Sequence, residues 1–270
     1  MKKYRLGILG AGNMGLAIAR GAVNAGRCTP PEILLMNLTS EKRAARAAEG
    51  FAVTGSQAEL YGSCEQVVLG IKPQIFDAVL PMLAAAGVTE KPLVISIAAG
   101  VSFAKMEAVL GADCPIIRVM PNTPLLLGLG ASALVRNAAA SPEQLENVRA
   151  LFGSMGITVV FEEEKMLNEV IPYNGSAPAY VYAFIDGMAR SAQEHGIARE
   201  QALELISKTC IGAAEMVLQS GKTPAELIRE VCSPGGTTIE AVKVLEGAGL
   251  NAILAEASDR CIARAYELGK

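Results

Sequence analysis

The chain has 270 residues, is 51% hydrophobic and 19% charged, and carries a formal net charge of −3. This length and this apolar content predict a globular protein with two domains and a large core. The mild acidity argues against nucleic acid or an anionic membrane as a partner held by bulk charge.

The six cysteines are scattered and have no CxxC spacing. Free thiols in a reducing cytosol explain this pattern better than disulfides or a metal site. The apolar run near the start is too short for a signal peptide, and the most apolar later segment is interrupted by Asp186 and Arg190. We therefore expect a cytoplasmic protein without a membrane span or a bound metal.

The first part of the sequence alternates short apolar runs with helical stretches. The runs typical of buried parallel strands are YRLGILG, EILLMNL, QVVLGI, PLVISIAA and PIIRVMP, and the helical stretches are 14–26, 41–49, 74–86 and 102–110. Two further predicted strands, GASALVRN and ITVVFEE, flank a helix with Ser141 as its N-cap. This βαβα order predicts a Rossmann-like, doubly wound, mainly parallel sheet over residues 1–160.

The motif LGILGAGNMG follows the first predicted strand and opens a helix. Its glycines have the spacing GxGxxG, in which the first permits a tight turn, the second lets a pyrophosphate approach the backbone and the third lets helix and strand pack closely. The helix start adds amides and a favourable dipole for phosphate. We expect a dinucleotide to bind at Gly10, Gly12, Asn13, Met14 and Gly15.

The second predicted strand ends at Asn37, where an NAD-specific site usually has an acidic residue for the ribose hydroxyls. A neutral amide leaves room for a 2′-phosphate, and Thr39 and Lys42 follow closely. The sequence therefore favours NADPH over NADH as the cofactor. The alternative is that this segment only begins a solvated helix with Ser40 as its N-cap.

Further candidates follow the next strands at the carboxyl edge, where ligands bind in open α/β sheets. Ile71 and Pro73 are placed to border the nicotinamide, Lys72 is a cofactor contact or a surface lysine, and Ala98 is small enough for a flat ring to approach. Asn122 lies between two prolines as a candidate for substrate binding, or as part of an ordinary rigid loop.

Strand signals stop after residue 162, and residues 161–270 predict an all-helical second domain. The predicted helices are 163–171, 177–194, 198–219, 224–230, 237–246 and 250–267. The stretches 179–192 and 202–218 are apolar around much of their circumference, so they must bury more than one face. Burial against a second copy of the chain is the favoured explanation, and a compact monomeric bundle is the alternative.

The stretch VCSPGGTTIEAV interrupts this helical domain with a proline and two glycines. Pro234, Gly235 and Gly236 permit a tight turn, and Thr237 followed by Glu240 predicts a capping box at a helix start. The amides of such a start are suited to bind an anion.

Few residues in the sequence are suited to proton transfer. The one histidine, His195, precedes Gly196 at a predicted helix end, where capping explains it better than catalysis. A carboxylate that bears a C=N bond suits this inventory, because a protonated imine already carries the positive charge that its reduction neutralises. Orientation and carboxylate binding are then the remaining demands on the protein.

Five motifs together resemble the pyrroline-5-carboxylate reductase family: GILGAGNMG, IKPQ, RVMPNTP, GSAPAYVYAFIDGM and VCSPGGTTIEAVKVLE. The resemblance covers nearly the whole chain, and Ala177 departs from it where the family commonly has glycine. It implies reduction of L-1-pyrroline-5-carboxylate to L-proline by NAD(P)H, the last step of proline biosynthesis. It also implies a homodimer, or a higher assembly of dimers, whose active site joins one subunit's cofactor to the other's helical domain.

The resemblance also assigns roles to the turn before the helix. It implies that the substrate carboxylate is held by Ser233, Gly235, Gly236 and Thr237. Thr238 is then the residue expected to contact the imine nitrogen, as hydrogen-bond partner or proton conduit. The alternative for Thr238 is local packing in the first turn of the helix.

Two other functions stay open from the sequence. A 3-hydroxyacid or 6-phosphogluconate-type dehydrogenase shares the plan of a Rossmann domain plus helices, but it needs a catalytic lysine on the first long helix of the second domain, and this stretch has none. A non-catalytic NADPH-binding regulator predicts cofactor binding without turnover and leaves the second anion-binding turn unexplained.

Overall fold

The computed structural model of the chain describes residues 3–268. Within these residues one sheet has eight strands, and its spatial order is β3-β2-β1-β4-β5-β6-β7-β8. The strands are β1 Tyr4–Leu9, β2 Ile33–Met36, β3 Ala52–Thr54, β4 Cys64–Leu69, β5 Leu93–Ser96, β6 Ile116–Met120, β7 Gly130–Arg136 and β8 Gly156–Val160.

Along the chain, the helices form two groups. Those between its strands and just after it are α1 Asn13–Asn24, α2 Ser40–Ala48, α3 Gln57–Ser63, α4 Phe76–Ala84, α5 Phe103–Leu110, α6 Pro142–Gly153 and α7 Met166–Glu169. Those that follow are α8 Ala177–Glu194, α9 Arg199–Gln219, α10 Pro224–Val231, α11 Thr237–Gly247 and α12 Leu250–Leu268.

The sheet is parallel apart from the antiparallel pair β6 and β7. Successive residues of each strand point to opposite faces, so Ile8 belongs to one apolar cluster, with α1 and α6, and Leu9 to the other, with α3, α4 and α5. β1 has β2 on one side and β4 on the other, which is the switch point where the strand order reverses. The prediction of a Rossmann-like, mainly parallel sheet followed by helices is confirmed.

One strand and one helix were not predicted from the sequence. β3 has only three residues and lies at the edge of the sheet, so it carries little apolar pattern. α3 follows it, and the side chain of Ser56 caps α3 by accepting a hydrogen bond from the Glu59 amide at 3.2 Å. The predicted cap of α6 is confirmed, because Ser141 accepts from the Gln144 amide at 3.1 Å and Pro142 is the first helical residue.

The chain divides into two compact units. One takes in the chain up to Ser176 together with the segment from Cys261 onward, and the other is Ala177–Arg260. The first division falls later than the sequence-based boundary after residue 160, and the second lies within α12. We call these the sheet unit and the helical unit.

The helices of the helical unit bury few side chains within this chain. Ala189 is the only buried residue of α8, and Ala202 is the only one of α9. Large apolar side chains on α8–α12 are exposed instead, among them Tyr182, Phe184, Leu205, Met216, Leu218, Val231, Val244 and Ile253. An unpartnered chain would leave this apolar surface in water, which favours a second copy over a monomeric bundle.

Candidate active site

The three glycines of the first turn have three different structural roles. Gly10 has a φ of 92°, which favours glycine, and a Cβ there would meet the backbone of Gly70. A Cβ on Gly15 would collide with the carbonyl oxygen of Gly10, so its absence lets α1 pack on β1. A Cβ on Gly12 would meet nothing within 4 Å, so the space in front of this residue is open. This is the arrangement that a pyrophosphate approaching the backbone requires.

A cleft of about 450 Å³ lies in front of this turn, at the carboxyl ends of β1, β2 and β4. Of the predicted cofactor residues, the cleft brings together Gly10, Gly12, Asn37, Ile71 and Lys72. Its other lining residues include Leu38, Thr39, Lys42, Gln57 and Gly70, which were not among the predicted cofactor contacts. The size and position of the cleft suit part of a dinucleotide.

Five other predicted cofactor residues do not line this cleft. Asn13 is exposed at the start of α1 and lines a neighbouring groove with Arg20, and Met14 packs against the core. Gly15 is buried beneath the turn, Pro73 begins a short 3₁₀ turn beyond β4, and Ala98 is buried after β5. Their roles in cofactor binding stay predictions.

The end of β2 places a buried hydrogen-bond acceptor at the cleft. Asn37 is 8% exposed, and its Oδ1 is buried without a hydrogen-bond partner among residues 3–268. Arg43 donates hydrogen bonds of 2.8 Å to the backbone carbonyls of Asn37 and Leu38, which holds the strand end in place. A buried acceptor without a donor at a cleft is a group that a ligand hydroxyl can satisfy.

The start of α2 differs from the sequence-based alternative. Ser40 is the first helical residue, and the N-cap is Thr39, whose side chain accepts no capping hydrogen bond. The first amides of α2 therefore lie beside Lys42 without a side-chain cap, which suits them to a phosphate group.

The loop after β6 is fixed by two asparagines. Asn122 is half-buried, and its Oδ1 accepts a hydrogen bond of 2.9 Å from the Ala131 amide at the start of β7. Asn174 is 6% exposed and donates from Nδ2 to the carbonyl of Met120 at 2.7 Å. Asn122 therefore has a structural role in this loop, and its predicted contact with substrate stays a prediction for its remaining Nδ2 group.

A charged residue interrupts the buried strand β6. Arg118 is 3% exposed, and its Nη1 donates to Glu164 Oε1 at 2.6 Å. The same carboxylate oxygen accepts the amide of Phe103 at 2.6 Å, at the start of α5. Burial lowers the pKa of Arg118 and the bond to Glu164 opposes that shift, and arginine stays charged because its ordinary pKa is so high. No role was predicted for Arg118, although a charge within IIRVM is a readable signal of a buried ion pair.

The second predicted anion site lies within the helical unit. Gly235 has a φ of 68°, and the Gly236 amide donates to the Ser233 carbonyl at 2.9 Å, so the predicted tight turn is present. The predicted capping box is wrong: Gly236 is the N-cap of α11, Thr237 is already helical, and Glu240 pairs with Lys243 at 2.7 Å. Glycine has no side chain with which to cap, so the amides of the first turn of α11 are left without one.

Thr238 is half-buried in that first turn. It borders an apolar cavity of about 640 Å³ within the helical unit, together with Phe184, Met216 and Val231. Ser233, Gly235 and Thr237 are exposed. A hydroxyl that borders an apolar cavity beside exposed amides offers a polar contact where water is partly excluded.

Membrane-spanning helices and bound metals are the two features that the sequence argued against. Among the helices of residues 3–268, none combines the length and the apolar character that a membrane crossing requires. Within the same residues, His, Cys, Asp and Glu side chains form no group of three that fits a metal ion. His195 is exposed beyond the end of α8, and Cys28, Cys114, Cys210, Cys232 and Cys261 are free thiols.

Two family models match the chain. Residues 164–268 match "Pyrroline-5-carboxylate reductase dimerisation", and residues 5–100 match "NADP oxidoreductase coenzyme F420-dependent". The chain is 38% identical over 267 residues to a pyrroline-5-carboxylate reductase of Escherichia coli, covering 98% of each sequence.

Solved structures agree with these matches over the whole chain. A pyrroline-5-carboxylate reductase of Coxiella burnetii has a TM-score of 0.91 at 30% identity, with 100% of each chain covered. A pyrroline carboxylate reductase of Plasmodium falciparum, solved with NADP bound, has a TM-score of 0.90 at 28% identity, again with 100% of each chain covered.

Proposed function

Because the chain belongs to the pyrroline-5-carboxylate reductase family, we propose that its nucleotide cleft and its SPGGTT turn serve the reduction of L-1-pyrroline-5-carboxylate to L-proline. The chain is an NAD(P)H-dependent oxidoreductase of proline biosynthesis, as its motifs predict. The observation that carries this assignment is the 38% identity over 98% of both sequences.

The cleft at β1, β2 and β4 is the proposed cofactor site. The pyrophosphate occupies the open space in front of Gly12, and the unpartnered Oδ1 of Asn37 accepts a hydrogen bond from a ribose hydroxyl. The uncapped start of α2 and the ammonium group of Lys42 suit a 2′-phosphate, so we propose a preference for NADPH over NADH. When bound, the cofactor supplies the hydride that reduces the C=N carbon.

The turn from Ser233 to Thr237 is the proposed carboxylate site. Its left-handed Gly235 and the N-cap Gly236 leave the first amides of α11 uncapped, and the helix dipole favours a negative charge there. Binding the carboxylate at these amides orients the ring, which is the main demand when the substrate already carries an imine.

Thr238 is the proposed contact of the imine nitrogen. Its hydroxyl can both donate and accept a hydrogen bond, so it can stabilise the protonated imine or pass a proton to the nitrogen. The apolar cavity beside it strengthens such a bond by lowering the local dielectric constant.

We further propose that the protein is a cytoplasmic homodimer. The match to a dimerisation model over residues 164–268 and the exposed apolar side chains of α8–α12 support a partner for the helical unit. Free thiols such as Cys28, Cys210 and Cys232 are consistent with a reducing compartment.

Turnover is tested by the loss of NADPH absorbance when pyrroline-5-carboxylate is added, with proline identified as the product. The same measurement with NADH gives the cofactor preference. Tight binding of NADPH without turnover would contradict the proposed reaction and favour a regulator.

A further inference from the structure

The ion pair between Arg118 on β6 and Glu164 joins two distant parts of the sheet unit. Arg118 is the one charged residue of β6, and its side chain is 4% exposed. Removing a guanidinium from water is costly unless a partner compensates for it. Replacing such a pair by apolar residues is often neutral or stabilising, so stability alone does not explain why the strand contains a charge.

Glu164 joins Arg118 to the start of α5. One oxygen, Oε1, accepts both the Arg118 Nη1 hydrogen bond and the Phe103 amide, each at 2.6 Å. The Arg118 guanidinium also lies 6.0 Å from the centre of the Phe103 ring, within the range of a cation–π contact. α5 already has its own N-cap, since Ser102 accepts from the Lys105 amide at 3.2 Å. The bond to Glu164 is therefore an additional anchor from a distant part of the chain.

The anchored residue, Phe103, directly follows the loop 97–102, which connects β5 to α5. At the other end of this loop, the Ile97 amide donates to the carbonyl of Leu69 on β4 at 3.4 Å. Between the two anchors, Ala98 is 5% exposed and Gly100 has a φ of 76°. The loop lies at the carboxyl edge of β5, beside the end of β4 and the Ile71 that follows it. This is the position of the nicotinamide half in a dinucleotide fold.

We propose that Arg118 and Glu164 are positioning residues that hold the loop 97–102 in place for the nicotinamide ring. This inference rests on the proposed function. The two side chains touch neither substrate nor cofactor in this assignment. They act by fixing both the path of the loop and the place of Ala98.

The test compares four variants with the wild-type protein. Glu164→Ala removes the shared acceptor, and Arg118→Met removes the charge while keeping a long side chain. Glu164→Gln keeps an oxygen that accepts from both donors. Arg149→Met is the matched control, because it removes an exposed ion pair with Glu146 on α6. Thermal unfolding reports the fold. Glu164→Ala is at greater risk of unfolding because it leaves the buried guanidinium without its partner, and Arg118→Met, which removes that charge, then provides the test.

Two measurements separate positioning from general damage. The first is affinity for NADP⁺ against affinity for 2′,5′-ADP, which lacks the nicotinamide half and depends on the cleft at β1 and β2. The second is kcat with pyrroline-5-carboxylate, together with the primary deuterium isotope effect from NADPH deuterated at the transferred position.

We expect Glu164→Ala and Arg118→Met to lower kcat by about tenfold to 100-fold, because a small misplacement of reacting groups costs that much. In both variants the isotope effect is expected to rise and the affinity for NADP⁺ to fall. The affinity for 2′,5′-ADP is expected to equal that of the wild type. Glu164→Gln and Arg149→Met stay close to wild type. Combining Arg118→Met with Glu164→Ala in one chain is expected to be no worse than the worse of the two single substitutions.

Wild-type kcat in Glu164→Ala, or an equal loss of NADP⁺ and 2′,5′-ADP affinity, would overturn the inference. The two ligand affinities are measured without substrate. They therefore test the inference even if the wild-type protein proves inactive, an outcome that would count against the proposed function instead.

Discussion

Thr238 is the single residue on which the proposed chemistry depends most. Replacing it with alanine removes the hydroxyl from the imine while leaving the cofactor cleft intact. We expect Thr238→Ala to lower kcat by about 100-fold, the order of magnitude of a lost proton-transfer group. NADPH affinity, measured by fluorescence titration, is expected to stay at the wild-type value.

Thr238→Ser is the matched control for this experiment. Serine keeps the hydroxyl and loses only a methyl group, so we expect most of the turnover to remain. Equal kinetics for the alanine variant and the wild type would remove Thr238 from the mechanism and leave it as a packing residue of α11.

Asn37 is the residue at which the proposed preference for NADPH can be tested. Asn37→Asp places a negative charge where the 2′-phosphate is proposed to bind, and repulsion between like charges at close range costs about tenfold in affinity. We expect NADPH to bind at least about tenfold more weakly by this measure, while NADH is held as well as before or better. The ratio of kcat/KM for the two cofactors is the measurement.

Arg43 is the confounding neighbour in that experiment. It donates to the carbonyls of Asn37 and Leu38 and lies close enough to neutralise a new carboxylate. Asn37→Ser is therefore made in parallel, since it changes size without adding charge. If the ratio of kcat/KM for the two cofactors does not change in Asn37→Asp, the 2′-phosphate is bound by other groups, such as Lys42, without an influence from residue 37.

At the scale of the element, the turn from β1 to α1 distinguishes a glycine needed by the ligand from one needed by the fold. A methyl group on Gly12 would meet nothing within 4 Å, and its φ of −78° is open to alanine. We expect the free energy of unfolding of Gly12→Ala to stay within about 0.5 kcal/mol of the wild-type value. NADPH is expected to bind at least about tenfold more weakly, because the methyl group occupies the space of the pyrophosphate.

Gly15→Ala is the matched comparison in the same turn. Its methyl group would collide with the carbonyl of Gly10 and the side chain of Ile8, so we expect a loss of about 1–3 kcal/mol in the free energy of unfolding. Urea denaturation without cofactor separates the two variants. A Gly12 variant as unstable as the Gly15 variant would contradict this division of roles.

The turn before α11 gives a similar prediction for the substrate. Gly235 has a φ of 68°, which costs a residue with a side chain about 1–2 kcal/mol. We expect Gly235→Ala to relax the turn and raise KM for pyrroline-5-carboxylate, with NADPH affinity unchanged. Gly221→Ala imposes the same backbone strain outside this turn, since its φ is 71°, and serves as the comparison. A KM equal to that of the wild type in Gly235→Ala would argue that the carboxylate binds elsewhere.

The sequence predicted the elements whose signal is local. The long strands and the helices of the second half carry clear apolar patterns, and the glycine turn announces the nucleotide cleft. β3 escaped prediction because a strand of three edge residues has almost no pattern. α3 carries a readable signal in Ser56 and Glu59, an S-x-x-E start, and with it Gln57 of the cleft is found.

What the sequence did not yield depends on contacts between distant residues. Arg118 and Phe103 both donate hydrogen bonds to one oxygen of Glu164. The spacing of these residues along the sequence does not predict this contact. The capping box at Thr237 failed for a different reason: the predicted N-cap lies one residue too late, because Gly236 takes the N-cap position. The glycine cap leaves the amides free of a side chain, so the error concealed a feature that favours the anion site.

For the whole molecule, the exposed apolar side chains of the helical unit predict that the enzyme works as a dimer. If the substrate lies between the cofactor of one subunit and α11 of its partner, two inactive variants can complement each other. Gly12→Val disables the cofactor cleft of its own chain, and Thr238→Ala disables the turn. In a mixed dimer of the two, one site has both defects and the other has none.

Refolding an equal mixture of the two variants is therefore expected to restore turnover to about a quarter of the wild-type value, since about half of the dimers are mixed and each has one intact site of two. A site built within one subunit leaves every site defective, so no activity returns. The control mixes Gly12→Val with a chain that carries both substitutions, in which no intact site can form. Turnover confined to the first mixture would assign the cofactor and Thr238 to different chains, and an inactive first mixture would contradict the shared site.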